Sequence, residues 1–412
     1  MQKDFHYYAT YCAAFLAGYN HEESLDICYS AQFVDLCTQT FLDMVKGPKA
    51  AATTQLQLEL MDAGGDPLSL QEMTRIWASF HFLPGDLHAD RKKCSKRYRN
   101  KYRLICHPNS ELLVETVKSV KGSSLQAAGI AMHVLADTWA HRNFAGTPSL
   151  VINNTDFHFD ELVPDDPRGD ERHGGETPGN LGHAEETSGN RRYRRRRITF
   201  RHSVSAEDDI VNGVYINSPF QTNENSIMNL GHGRAGHLPD YSFARYAYLP
   251  AWKDYEEIIK DNPSDYLHAF CQMIYALKYL HGDVEDFSAG IYDSKAVIPW
   301  NDEIYNIITK RQLDSCDDWK ALGEKISGRE IPDFDIGKYQ QEYIEAAPDM
   351  KDHTYLGKFF MAALKHKSMV TSRIFTSGNP LAGISIDFDK KGFKGIRDYR
   401  KLVEQHTREA LK

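Results

Sequence analysis

The segment from Leu125 to His141 reads LQAAGIAMHVLADTWAH, and it constrains this chain more than any other. Nearly all of it is apolar or small, which predicts a helix buried on most sides. Its polar residues are Gln126, His133, Asp137, Thr138 and His141. Steps of seven, four and four residues place Gln126, His133, Asp137 and His141 in one narrow helical stripe. An imidazole or carboxylate buried without a partner is costly. Two histidines flanking a carboxylate at helical spacing offer three metal-ligating groups in one direction, and a cation would satisfy them. The competing explanation is a hydrogen-bonded core pair. The second histidine, and further His and Asp residues in apolar settings elsewhere, favour a metal site.

Composition narrows the function classes. The 412 residues are 41% hydrophobic and 26% charged, which suits a chain with a sizeable core. A net charge of −8 argues against an electrostatic nucleic-acid binder. No apolar run is long enough for a transmembrane helix. The start, MQKDFHYY, lacks the charged-then-apolar pattern of a secretory signal, so a cytoplasmic location is expected, with export by another route left open. The cysteines, Cys12, Cys28, Cys37, Cys94, Cys106, Cys271 and Cys316, are odd in number and contain no CxxC, which fits neither a disulfide framework nor a cysteine zinc site.

Helical patterns are expected over residues 5–17, 22–46, 69–82, 109–121 and 125–141, and again over 251–260, 264–281, 301–311, 316–327, 335–347, 353–366 and 391–410. Residues 164–197 carry almost no large apolar side chain, and predict a long mobile insertion. Its flanks, SLVINN and RITFRHSV, read as short strands of one hairpin. Residues 231–240, GHGRAGHLPD, form a glycine-rich loop.

The candidate ligands are Asp4 or His6, Asp35, His81, His133, Asp137, His141, His237 and Asp240. All are nitrogen or oxygen donors, a set that suits zinc and can suit manganese or iron. They exceed the demand of one tetrahedral ion, so two or three ions are expected. His237 is preferred over His232, the reserve candidate, because Asp240 follows it by three residues. His88 is set aside as exposed, and His173 and His183 as bystanders. Arg234, in the same loop, is a candidate for holding a phosphate. The run Arg191 to Arg197, with Tyr193 interleaved, reads either as a solvated charge run or as an anion-recruiting flap. HExxH, P-loop, GxGxxG and GxSxG motifs are absent.

The order of these ligands resembles the zinc-dependent phospholipase C and single-strand nuclease family. That pattern runs early His, Asp, His, HxxxD, His, then GH followed by an acidic residue. Here it corresponds to His6, Asp35, His81, His133 with Asp137, His141, and Gly236-His237 with Asp240. The chain also looks like a group of bacterial proteins of unassigned function that share DFHYYATY and GHGRAGHLPD. The first resemblance implies an all-helical fold and a hydrolase with two or three zinc ions. Three spacings depart from it. The family uses a mature N-terminal Trp as a ligand, whereas this chain starts at Met1 without a signal, so that ion is expected to be held otherwise or be missing. The histidine after Asp137 comes sooner, and Asp240 follows His237 by three residues rather than four.

The expectation is therefore a mainly α protein: a multi-helix, phospholipase C/nuclease-like bundle with a small β-hairpin and a long polar insertion. Residues 1–283 would form the metal-binding helical domain, with the insertion at about 164–197. Residues 284–412 would pack on it as a C-terminal helical extension. The expected activity is hydrolysis of a phosphoester, in a small molecule or lipid, with nucleic acid as a substrate only. Asp137 or Asp35 would bridge ions or act as general base, and Arg234 would bind the phosphate. The alternatives are a metal-dependent hydrolase or lyase of another bond, such as an amide, and a structural-metal protein whose basic flap binds a partner.

Overall fold

The computed structural model describes residues 1–56, 67–87, 104–147, 150–156, 158–164, 186–188, 191–201, 210, 213–216 and 230–377. The architecture is mainly α with one small sheet. The helix expected from the opening segment is present as Leu125–Ala140, and every residue from Gln126 to Ala140 is buried. We call it α6. Ser124 caps it, its hydroxyl accepting from the Ala127 amide at 3.3 Å.

Around α6 lie the other main helices: α1 (Thr10–Leu16), α2 (His21–Phe33), α3 (Gln39–Val45), α4 (Pro67–Ile76) and α5 (Glu111–Lys118). α2 packs along α6 at close range because Gly129 has no side chain. A Cβ at Gly129 would sit 2.6 Å from the Ser30 Cβ and 3.0 Å from the Ala31 nitrogen. This close approach brings the α2 backbone within reach of the α6 histidines.

Two helical segments are wound as π-turns, Asp4–Ala9 before α1 and Trp77–His81 after α4. Such turns add a residue to the helical ring and commonly mark functional sites. Each carries one of the candidate histidines, His6 and His81.

The chain continues with α7 (Leu150–Asn153) and the strands β1 (Asp160–Pro164), β2 (Glu186–Ser188), β3 (Arg191–Arg197), β4 (Thr199–Arg201) and β5 (Val214–Ile216). Next come a short α8 (His232–Ala235), β6 (Arg245–Tyr248) and β7 (Ile258–Asp261). The sheet has the order β2-β3-β1-β6-β7, with every pair antiparallel. β4 and β5 form a separate parallel pair. The last part holds α9 (Asn262–His281), α10 (Asn301–Thr309), α11 (Cys316–Ser327), α12 (Gln340–Glu345) and α13 (Tyr355–Thr376). Trp319, Ile331, Leu356 and Phe359 of this part share one core with Phe5, Ala13, Met132 and Ile274. A second, smaller core under the sheet contains Phe144, Phe159, Leu238, Tyr246 and Tyr248. Among the described residues, no helix is long and apolar enough to cross a membrane.

Several local expectations are corrected. The expected helix over 22–46 breaks into α2 and α3, because Thr38 begins a new helix by capping the Phe41 amide. Residues 251–260 are a short turn leading into β7, since their apolar residues pair with β6 across the sheet. SLVINN contains α7 rather than a strand, and the strand inside RITFRHSV pairs with β5.

The arginine run is not part of a mobile flap. It is β3, inside the sheet between β1 and β2. Three of its charges are taken up by carboxylates: Arg195 by Glu257 at 2.6 Å, Arg196 by Glu161 at 2.6 Å and Arg197 by Asp160 at 2.8 Å. Glu161 is 2% exposed and also receives Arg311. Burial works against its ionisation, but the two guanidiniums hold its carboxyl below the usual range. The remainder of the insertion, 165–185 and 189–190, lies outside the described residues, as do His88, His173, His183, Cys94 and the helix expected over 391–410.

Candidate metal centre

Helix α6 supplies the floor of the site. His133, Asp137 and His141 lie one turn apart on the stripe that the sequence predicts, at 0%, 1% and 5% exposure. Asp137 is the hub. Its Oδ2 lies 3.2 Å from His81 Nδ1 and 3.2 Å from His133 Nε2. Its Oδ1 lies 3.2 Å from His6 Nε2 and 2.8 Å from the α-amine of Met1. Asp35, just past the end of α2, stands 3.8 Å from His81 and 3.9 Å from both His6 and His133. Asp240 completes the other side, its Oδ1 being 3.4 Å from both His141 Nε2 and His232 Nε2 and 3.2 Å from the Met1 amine.

The tautomers of three histidines follow from backbone carbonyls. His133 Nδ1 is 2.9 Å from the Ala31 carbonyl. His81 Nε2 is 2.9 Å from the Thr53 carbonyl, and His141 Nδ1 is 2.6 Å from the carbonyl of His81. A carbonyl only accepts, so the facing nitrogen carries the proton. In a neutral ring the other nitrogen is then a bare lone pair. Those lone pairs are His133 Nε2 and His141 Nε2, and both point at carboxylates, as does His81 Nδ1, which bonds to Asp137. His133 Nε2 and His81 Nδ1 are also only 3.3 Å from each other. This outer ring of carbonyls is the usual device for orienting metal-ligating imidazoles.

Protonation directions agree. Burial pushes His6, His133 and His141 down to about 4, which keeps these rings neutral and basic at their free nitrogens. For His81, burial is outweighed by the bond to Asp137 and the charges of Asp137 and Asp35, and its pKa rises. Asp137 and Asp240 are held well below the usual range: despite burial, the surrounding histidines and the amine favour their ionised forms. Burial raises Asp35. The Met1 amine, although buried, is carried up to about 11 by Asp137, Asp240 and Asp35.

Among the described residues, three groups have ligating atoms within 4.8 Å of one another: His6, His133 and Asp137; Asp35, His81 and His133; and His141, His232 and Asp240. Among the described residues neither ring nitrogen of His6 has a partner in hydrogen-bond geometry, Nε2 standing only in charge contact with Asp137, although the ring is fully buried and stacked on His133 with centroids 3.9 Å apart. His232 Nε2 is likewise buried without hydrogen-bond geometry to any partner. Orphaned nitrogens beside ionised carboxylates are the condition that a divalent cation relieves, and nitrogen and oxygen donors of this kind fit zinc, manganese or iron. One side is open: Asp35 is 28% exposed and His232 22%.

The structure thus brings together His6, Asp35, His81, His133, Asp137, His141 and Asp240. Three sequence-derived candidates fall outside. Asp4 turns away, because residues two apart on a helix face different sides; its carboxylate accepts from Ser315 Oγ at 2.6 Å and from the Phe5 amide. Arg234 is 3% exposed and donates to the Thr155 carbonyl at 2.5 Å, so it braces the loop instead of waiting for phosphate. His237 is half exposed and meets only the outer oxygen of Asp240, with Nδ1 at 3.5 Å from Oδ2.

His232, the reserve candidate, takes the inner place. Gly231 and Gly236 make this possible, with φ of +49° and +60°, where a side chain would be strained. They turn the chain sharply at both ends of α8 and aim His232 inward. The loop is pinned from α9: Tyr266 donates to the Asp240 carbonyl at 2.7 Å, and the Asn262 amide to those of Leu238 and Tyr241. Sequence reasoning also missed the Met1 amine. Its signal, a terminus followed closely by a buried His6, is too weak to read without the fold.

Comparison with known proteins adds a family without a chemistry. Residues 1–374 match a family described as of unknown function, DUF6765. No curated protein and no solved structure matches the chain.

Proposed function

From a chain that belongs to this family, whose name assigns no activity, we propose a metal-dependent hydrolase that uses zinc and acts on a phosphoester. The observation that carries the proposal is the convergence of ligating atoms. His133 Nε2, His81 Nδ1 and Asp137 Oδ2 lie within 3.3 Å of one another, each fixed by a partner behind it. Asp137 offers its other oxygen to His6, so one carboxylate serves two neighbouring positions. A carboxylate that faces histidines with both oxygens supports the two-ion reading, since it would be able to serve both ions.

Zinc bound there would supply a Lewis acid and a water of lowered pKa. The chain's own residues do the rest. The carbonyls of Ala31, Thr53 and His81 hold the imidazoles in register. Asp35 is the most exposed of the three carboxylates, and on the open side it is the group placed to take a proton from an attacking water. His237 leans on Asp240 Oδ2 and so keeps Oδ1 directed inward. Among the described residues no arginine takes part in this arrangement, so there the charge of a phosphoester would be met by the bound cations. A closed structural site would be buried on all sides, and the exposure of Asp35 and His232 supports an open position instead.

The test combines metal analysis with a substrate panel. Protein purified without chelator is expected to hold at least one transition-metal ion per chain by plasma mass spectrometry. It should hydrolyse bis(4-nitrophenyl) phosphate or 4-nitrophenyl phosphate, lose that activity to a chelator and regain it with zinc. Absence of stoichiometric metal would end the metal reading. Bound metal with hydrolysis of 4-nitroacetanilide alone would replace the phosphoester by an amide.

A further inference from the structure

Away from the metal centre, a groove of about 450 Å³ runs between α13 and the turn that joins α5 to α6. Its floor is apolar, made by Val120, Ala127, Met361 and Ala362. Lys358 and Lys365 stand along it, and Lys365 reaches across toward the Ser119 carbonyl at 3.4 Å. The start of the sixteen-residue α6 opens into it through Ser123 and Ser124. A helix N-terminus with hydroxyls and two ammonium groups favours an anion.

His366 narrows the choice of anion. It is 5% exposed and lines the groove. Its Nε2 donates to the Ser79 carbonyl at 2.7 Å. Burial keeps the ring neutral, with a pKa pushed down to about 4. Nδ1 is then a lone pair, and it has no hydrogen-bond partner among the described residues. The groove therefore asks for an anion that still carries an O–H. A carboxylate or sulfate at neutral pH has none. A phosphate monoester, with its second pKa near ~6, keeps one in part of its population. Asp352, also on the groove, acts in the same sense, repelling a fully ionised group and accepting from a protonated one.

We infer that this groove binds an organic phosphate monoester, its apolar body on Val120, Ala127, Met361 and Ala362, its anionic oxygens toward Lys358, Lys365 and the start of α6, and its remaining hydroxyl on His366 Nδ1. Binding here does not depend on the metal. The ring that receives the hydroxyl is nevertheless tied to Ser79, two residues before His81 in the same π-turn.

Phenylphosphonate is a suitable probe, since its P–C bond resists hydrolysis, and benzenesulfonate is the same shape without the proton. Calorimetry at pH 6 on the full chain is expected to show saturable phenylphosphonate binding, with benzenesulfonate at least tenfold weaker. The Lys358→Ala/Lys365→Ala double variant, on an exposed helix face, should fold and keep its metal while its Kd rises at least tenfold. Ala362→Phe, which fills the groove, should do the same. Undiminished binding in both variants would place the phosphonate elsewhere, at the metal centre for instance, and overturn the inference. So would equal binding of the sulfonate, or no heat from millimolar phenylphosphonate.

Discussion

Replacing Asp137 by Asn keeps the shape of the side chain and removes its charge. Asp137 is 1% exposed, with the Met1 amine at 2.8 Å and His6, His81 and His133 each at 3.2 Å. Removing one partner of a buried ion pair costs about 3–5 kcal/mol. Asp240 still lies 3.2 Å from the same amine, so the lower end applies, about 3 kcal/mol. At roughly 2.1 cal/mol/K per residue, unfolding 412 residues carries an entropy of about 0.9 kcal/mol/K. The expected fall in Tm is then about 3–4 °C. Metal binding suffers more. Losing an outer partner of a ligand costs about 10–100-fold in affinity, and Asp137 belongs to a candidate ligand group itself, so a loss of at least ~100-fold is expected. The assay is metal content after dialysis against buffered zinc, with a melting curve on the same sample. Asp4→Asn is the control: its partner is Ser315, so it should lower Tm without changing metal content. An Asp137→Asn protein with unchanged zinc stoichiometry would refute the hub role, as would equal metal loss in both variants.

Three further outcomes are expected. His232→Ala should lower metal content, whereas His237→Ala should weaken metal binding by only about tenfold, because it acts through the outer oxygen of Asp240; metal titrations of the two variants in parallel would expose a reversed order. Glu161→Gln should destabilise the protein by about 3 kcal/mol in urea unfolding, because Arg196 and Arg311 lose a buried partner, and should leave metal content intact. In metal-free protein, stability should fall as pH drops from about 6.5 toward 4: unfolded histidines take up protons there, while His6, His133 and His141 stay neutral in the fold. His81 and His237 oppose this, since their raised pKa values contribute stability below 6.5 that is lost as pH rises through the folded values, but His366 also stays neutral in the fold, so two groups stand against four. Urea midpoints at pH 7.5, 6 and 5 that stay level or rise would contradict that assignment.

What the sequence by itself determined is the part governed by local spacing. The period of 3.6 residues made α6 readable, and with it the alignment of His133, Asp137 and His141. An apolar setting around a polar side chain was enough to single out His6, Asp35 and His81, because burial without a partner demands an explanation. What only the tertiary structure decided involves partners far apart in the chain. The choice of His232 over His237 depends on the two positive-φ glycines that reverse the loop and on α9 residues that pin it. The Met1 amine meets Asp137 across 136 residues, a contact that no local pattern encodes. The arginine run reads as a solvated charge run or as a flap when its own segment is considered alone. In the fold it is a strand: Asp160 and Glu161 stand opposite Arg197 and Arg196 in the sheet, Glu257 pairs with Arg195 from outside it, and the pairing across β1 is set by strand register rather than by sequence distance.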